Sequence, residues 1–115
     1  MDLARRRAEH AERLDEALRR VGEVLSGVEG VQRVSLFGSA ARGRRDLFTD
    51  LDLLVIWETD RPLVERLKAL YSLLHLPVDL DVLCYTPAEF HELSDAPFLR
   101  RIAQEEVVLF ETKAP

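Results

Sequence analysis

Gly38 and Ser39 are followed, after ten residues, by Asp50-Leu51-Asp52, and these residue types at this separation suit chemistry on a polyphosphate. Val31 to Phe37 is apolar and β-branched enough to form a strand, and Gly38 ends it where the backbone must turn sharply. Ser39 is then placed to cap a short helix through Ala40, Ala41 and Arg42. Unpaired N–H groups at such a turn carry partial positive charge and can receive phosphate oxygens. Gly38 leaves no side chain in the way, and Ser39 adds a hydroxyl donor. Arg42, Arg44 and Arg45 follow, and guanidinium forks match the geometry of outer phosphates.

The two aspartates sharpen that reading. Leu51 to Trp57 is a run of strand formers, so Asp50 and Asp52 project to one face, roughly 6–7 Å apart. Two carboxylates on one face repel unless solvent or a cation relieves them. Magnesium prefers oxygen ligands and is commonly shared with substrate phosphates. In nucleotidyl transfer, two such ions can clamp the attacking and leaving oxygens. A further carboxylate is expected on a neighbouring strand, and Pro77 to Tyr85 offers Asp79 and Asp81, which share a face. An acid within an apolar strand is costly unless paired or metal-bound. Asp81 lies deeper in the run, while Asp79 sits near its start and reaches solvent more easily.

Gly38-Ser39, Asp50-Leu51-Asp52 and Asp81 together resemble the DNA polymerase beta-like nucleotidyltransferase superfamily. More closely, the chain is similar to its minimal nucleotidyltransferase (MNT) branch, the small partners of HEPN-domain proteins in prokaryotic toxin–antitoxin operons. The resemblance extends over Tyr85-Thr86-Pro87-Ala88-Glu89-Phe90 and over the tail from Phe98 to Glu111, nearly the whole chain. It implies a mixed β-sheet with helices packed on one face and the active site on the open face, within a single α/β (α+β) domain spanning residues 1–115. It also implies that Gly38 and Ser39 bind triphosphate and that Asp50, Asp52 and Asp81 hold magnesium. Arg42 and Arg45 are the candidate phosphate partners beyond the turn. Thr49 stands where Ser is common and keeps the hydroxyl. The doubled acid Asp79/Asp81 leaves the third ligand open, although the spacing to Thr86-Pro87 favours Asp81.

Three functions are compatible with such a site. The first is magnesium-dependent transfer of AMP from ATP to a hydroxyl, with a tyrosine of a HEPN toxin as the acceptor implied by the resemblance, which makes this chain an antitoxin. The second is a non-catalytic nucleotide- or partner-binding subunit that masks its partner; a degenerate binder would have little need of three carboxylates. The third is transfer to a small molecule such as an aminoglycoside, disfavoured because the chain has no spare domain for an acceptor pocket unless a second copy supplies one. The acceptor, the preferred base and the oligomeric state, a homo-oligomer included, are left open.

Composition agrees with a compact cytoplasmic enzyme core. The chain has 115 residues, is 47% hydrophobic and 32% charged, and carries a net charge of −5. That acidity argues against nucleic acid as a partner, and the 14 arginines are dispersed rather than gathered into a basic stripe. The one cysteine, Cys84, reads as a small buried hydrophobe. Arg5-Arg6-Arg7 precedes no signal-type apolar stretch, and no run approaches membrane-spanning length. His10, His75 and His91 are scattered without ligand spacing, and neither a P-loop pattern nor a zinc pattern occurs.

The elements that must position the site follow from periodicity. Leu14, Leu18, Val21 and Leu25 form one stripe of a helix from Leu3 to Leu25. A second helix opens at Arg61-Pro62 and runs to about Leu74, with Leu63, Leu67, Leu70, Leu73 and Leu74 inward. Pro77 stops it and introduces the acidic strand, and Pro87 and Pro97 each begin a further helix.

Overall fold

A computed structural model of the chain describes residues 2–112. The first helix, α1 (Leu3–Ser26), is capped by Asp2, whose carboxylate accepts the Ala4 N–H at 3.0 Å. Its buried stripe is Leu14, Ala17, Val21 and Leu25, spaced three and four apart as a single helix face requires. The remaining elements are β1 (Val31–Phe37), α2 (Gly38–Ala41), β2 (Leu51–Trp57), α3 (Leu63–Leu74), β3 (Leu80–Tyr85), α4 (Pro87–Leu93), α5 (Pro97–Glu105) and β4 (Val107–Glu111).

The four strands form one mixed sheet in the order β3-β2-β1-β4. β1 pairs antiparallel with both β2 and β4, while β2 and β3 run parallel. A parallel pair needs a crossover, and α3 supplies it. Alternation along β2 sends Leu51, Leu53, Val55 and Trp57 to one face, where α1, α3 and the inward residues of β1 and β3 close a continuous core. Each such fully buried leucine or valine stabilises the fold by about 1.5–3 kcal/mol.

The opposite face is covered only in part. Leu54 and Ile56 of β2 pack against Leu99 and Ile102 of α5, flanked by Phe37, Leu83, Tyr85 and Phe90. The two long helices therefore share one face as expected, and α5 caps the apolar half of the other.

Two expected details differ. Leu63 and Leu73 of α3 face solvent, and the buried positions are Arg66, Leu70 and Leu74. Arg66 takes a core-edge place because its guanidinium is satisfied there by the Glu89 carboxylate and the Arg61 carbonyl. Glu89 in turn completes a capping box with Thr86 at the start of α4, so one ion pair fastens α4 to α3. The exposed edge of β3 is blunted by Tyr71, whose hydroxyl donates to Leu80 O at 3.2 Å and accepts from the Val82 N–H at 3.0 Å. No described helix is long and apolar enough to cross a membrane.

Candidate active site

Strand register builds the site. Phe37, the last residue of β1, lies opposite Asp52, and Asp52 lies opposite Asp81 on the parallel neighbour. Adjacent strands are about 4.8 Å apart, so the turn at Gly38 and the acids at Asp52 and Asp81 occupy neighbouring positions on one face. Asp50 has the same parity as Asp52 and precedes β2 directly. Register brings Asp52 and Asp81 side by side, and the charge of Asp50 reaches Asp52 from the loop just before β2.

Gly38 is required at the turn. Its φ is +76°, and a Cβ built there would lie 2.3 Å from Asp52 Oδ2. Only a residue without a side chain fits both the left-handed backbone and that approach. Ser39 is not the helix cap: α2 begins at Gly38, Phe37 is its N-cap residue, and Ser39 sits inside the first turn, partly exposed. The helix thus starts two residues earlier than a cap at Ser39 would place it.

Asp52 shows the strain of the arrangement. Its carboxyl is pushed above the ordinary aspartate value, first by burial and then by the charges of Asp81, Asp50 and Glu105, with only Arg42 opposing them. Asp81 is solvent-exposed on the sheet's edge strand, so it needs no partner to offset burial. Asp79 lies outside β3, its carbonyl accepting the Leu51 N–H at 3.0 Å. It borders a crevice with Tyr71, His75 and Leu80. Register thus selects Asp81 over Asp79 as the acid beside Asp52.

Among the described residues, no three His, Cys, Asp or Glu side chains are drawn tightly enough together to make a preformed metal cluster. The donor set nevertheless fits a hard divalent cation. All three acids are oxygen donors, they repel one another without a cation, and magnesium needs only one or two carboxylates when phosphates supply other ligands.

The basic residues divide. Arg42 remains at the turn and binds Glu105, Nη1 to Oε2, at 2.8 Å. Arg45, expected on phosphate, is turned the other way: its Nε donates to Asp15 of α1 at 3.0 Å and its Nη1 to the Ala40 carbonyl at 2.8 Å. It ties the loop to α1 instead. Arg44 pairs with Asp46.

Three contributors were not singled out by sequence. Asp46 organises the loop before Asp50: its carboxylate accepts from the Phe48 N–H at 2.9 Å and the buried Thr49 hydroxyl at 3.1 Å. Such a local Asx arrangement is encoded by Asp46 two and three residues ahead of its donors. His10 of α1 lies 3.2 Å from the Thr49 carbonyl, bracing the residue just before Asp50. Glu105 accepts the Gly38 N–H at 3.0 Å. The last two join residues 39 and 67 positions apart, and no local pattern announces them. Cys84, in contrast, behaves as expected, with burial raising its thiol to about 11.

Comparison with known proteins agrees with this architecture. None of the curated proteins matches the chain significantly. A solved protein of Sulfolobus solfataricus assigned as a nucleotidyltransferase superimposes with a TM-score of 0.57 at 18% identity, covering 91% of this chain and 83% of its own. A toxin–antitoxin structure with AMP-PNP gives a TM-score of 0.51 at 19% identity, over 90% of this chain and 74% of that one. A structure assigned as a minimal nucleotidyltransferase is 33% identical over 93% of this chain and 95% of its own, with a TM-score of 0.45. The family model for polymerase beta nucleotidyltransferases matches residues 19–114, which include the turn, all three acids and every strand. The chain belongs to the polymerase beta nucleotidyltransferase family.

Proposed function

We propose that this protein is a magnesium-dependent, cytoplasmic adenylyltransferase that moves AMP from ATP to a protein hydroxyl, the acceptor being a tyrosine of a HEPN toxin and the chain its antitoxin. The observation that carries the nucleotide chemistry is the register pairing of Asp52 with Asp81 beside the Gly38 turn. The acceptor follows from the resemblance to the MNT branch. One structural neighbour, a toxin–antitoxin assembly solved with AMP-PNP, is the setting in which this reading places the chain.

Asp50, Asp52 and Asp81 would hold magnesium, which supplies charge neutralisation at the triphosphate and polarisation of the α-phosphate. Ser39 and Arg42 bind the outer phosphates and orient the α-phosphate toward the face of Asp81. The acceptor oxygen forms its bond to the α-phosphorus as the bond to the bridging oxygen breaks. Pyrophosphate leaves, and the acceptor proton passes to the exposed Asp81 carboxylate. Because the acids lie at an open sheet face, the partner's own surface completes the site. That openness favours a protein acceptor over a small molecule.

The test is mass spectrometry of a co-expressed HEPN partner. Added AMP that disappears in the Asp50→Asn/Asp52→Asn double variant is the expected result. A partner left unmodified, yet still inhibited by the double variant, would establish masking instead of transfer.

A further inference from the structure

We propose that Glu105 is a built-in stand-in for the nucleotide's outer phosphates: it holds the Gly38 amide and the Arg42 guanidinium until a triphosphate displaces it. The inference rests on the nucleotide reading above and concerns how that site is regulated.

The two oxygens of one carboxylate divide between the two groups. Oε1 accepts the Gly38 N–H at 3.0 Å, and Oε2 accepts from Arg42 at 2.8 Å. An amide and a guanidinium converging on one anion are what an outer phosphate needs. Glu105 also sits unfavourably close to Asp52, whose ionised form its charge opposes. A carboxylate added to three others is kept there by the amide and the cation, and these same contacts hold its carboxyl below the ordinary glutamate value.

The exchange needs no backbone motion. Leu99 and Ile102 anchor α5 against Leu54 and Ile56. The next residue, Glu106, is bound by Arg33 with only 8% of its side chain exposed. Glu105 lies between these fixed points with a fifth of its side chain exposed, and Arg42 is 61% exposed. Rotation of the Glu105 side chain alone frees both partners. Two consecutive glutamates thus take different parts, Glu106 as an anchor and Glu105 as a movable anion.

Competition of this kind weakens binding by the fraction of time the site is held closed. A latch closed four-fifths of the time lowers apparent affinity about fivefold. The experiment is calorimetry on the whole protein, with magnesium-ATP and with inorganic tripolyphosphate. Wild type, Glu105→Gln, Arg42→Gln and the double variant are compared, each checked for folding by circular dichroism. Glu105→Gln replaces the charged acceptor by a weaker neutral one at both partners, so the closed state is less populated and both ligands should bind more tightly, by up to about fivefold. In the Arg42→Gln background the same substitution should change affinity less than twofold.

Unchanged or weaker binding by Glu105→Gln, beside a wild type that binds, overturns the latch and leaves the nucleotide reading standing. Equal tightening with and without Arg42 also overturns it, since that marks a general charge effect. Absence of binding in every variant and in wild type overturns the nucleotide reading and the latch together.

Discussion

The two faces of the sheet diverge along a single strand. On one face, Leu51, Leu53, Val55 and Trp57 of β2 are all at most 5% exposed beneath α1 and α3. On the other, Ile56 and Leu54 are buried under α5, and the next position on that face is Asp52, with its carboxyl raised by burial and then by its acidic neighbours. The change from core to chemistry occurs within one two-residue step. It coincides with the turn at Gly38, where β1 ends and leaves Asp52 beside open backbone. One face is spent wholly on burial. The other holds enough apolar surface to fix α5 and leaves its acidic end uncovered.

If the faces have separate tasks, substitutions one residue apart should separate activity from stability. The largest effect is expected from Asp52→Asn, which should lower AMP transfer about a thousandfold, the scale of losing one electrostatic contributor to a transition state. Single-turnover transfer followed by mass spectrometry measures it, with urea unfolding as the control. A variant retaining a tenth of the wild-type rate would remove Asp52 from the centre of the site. Leu53→Ala, on the covered face, should instead cost about 3–4 kcal/mol of stability, because a fully buried leucine is removed from a closed core. A loss below 1 kcal/mol would mean that α1 and α3 close on the sheet less tightly than their burial indicates.

A middle-sized effect is expected where the faces are joined. Arg66 emerges from α3 on the covered side and meets Glu89 of α4, with side-chain exposures of 8% and 44%. Glu89→Gln leaves Arg66 without its counter-charge. Loss of one partner of a fully buried pair costs about 3–5 kcal/mol, and the exposure of Glu89 reduces the expectation to about 1–2 kcal/mol at pH 7. The Glu89 carboxyl is held below its ordinary value of 4.5, chiefly by the hydrogen bond from Arg66. Its contribution is therefore present above about pH 4.5 and is lost as pH falls through the lowered native value. Urea unfolding of both proteins at pH 7 and pH 3 should show the gap closing in acid. A gap that persists would assign the stabilisation to packing.

The parts legible in sequence are those set by short-range rules. Same-face placement of Asp50 and Asp52 follows from strand alternation, and the glycine turn follows from the end of an apolar run. Three helix starts are legible too, since Pro62, Pro87 and Pro97 lie where helices begin, whereas the cap expected at Ser39 is not used. What escaped depends on distant partners. Sequence leans to Asp81 without excluding Asp79, and only the β2–β3 register sets Asp81 beside Asp52. Arg45 follows the turn like a phosphate ligand, but Asp15, 30 residues earlier, captures it. Leu63 and Leu73 fit an apolar helix pattern, yet α3 inclines Arg66 inward because Glu89 waits there. Glu105 has an acid's usual signature of a solvated helix end, and only the packing of α5 brings it to Gly38.

The smallest expected effect tests whether the open face is strained in the absence of ligand. The Asp52 carboxyl titrates above its ordinary value, first because it is buried and then because of its acidic neighbours, so its ionised form is less favourable in the folded protein than in the unfolded chain. For an acid with a raised native value, the favourable contribution exists at low pH and is lost as pH rises through that value. At neutral pH the charge on Asp52 therefore costs stability, and Asp52→Asn should raise the melting temperature by about 2 °C in metal-free buffer. Lowering the pH toward 3.8, the ordinary aspartate value, should shrink the advantage, because wild-type Asp52 then becomes neutral as well. Magnesium with ATP should reverse the order, stabilising wild type over the variant through ligand linkage. Scanning calorimetry under these three conditions distinguishes the cases. A variant less stable than wild type in metal-free neutral buffer would show that Asp52 serves the fold, and the division of labour between the two faces would then fail at its boundary residue.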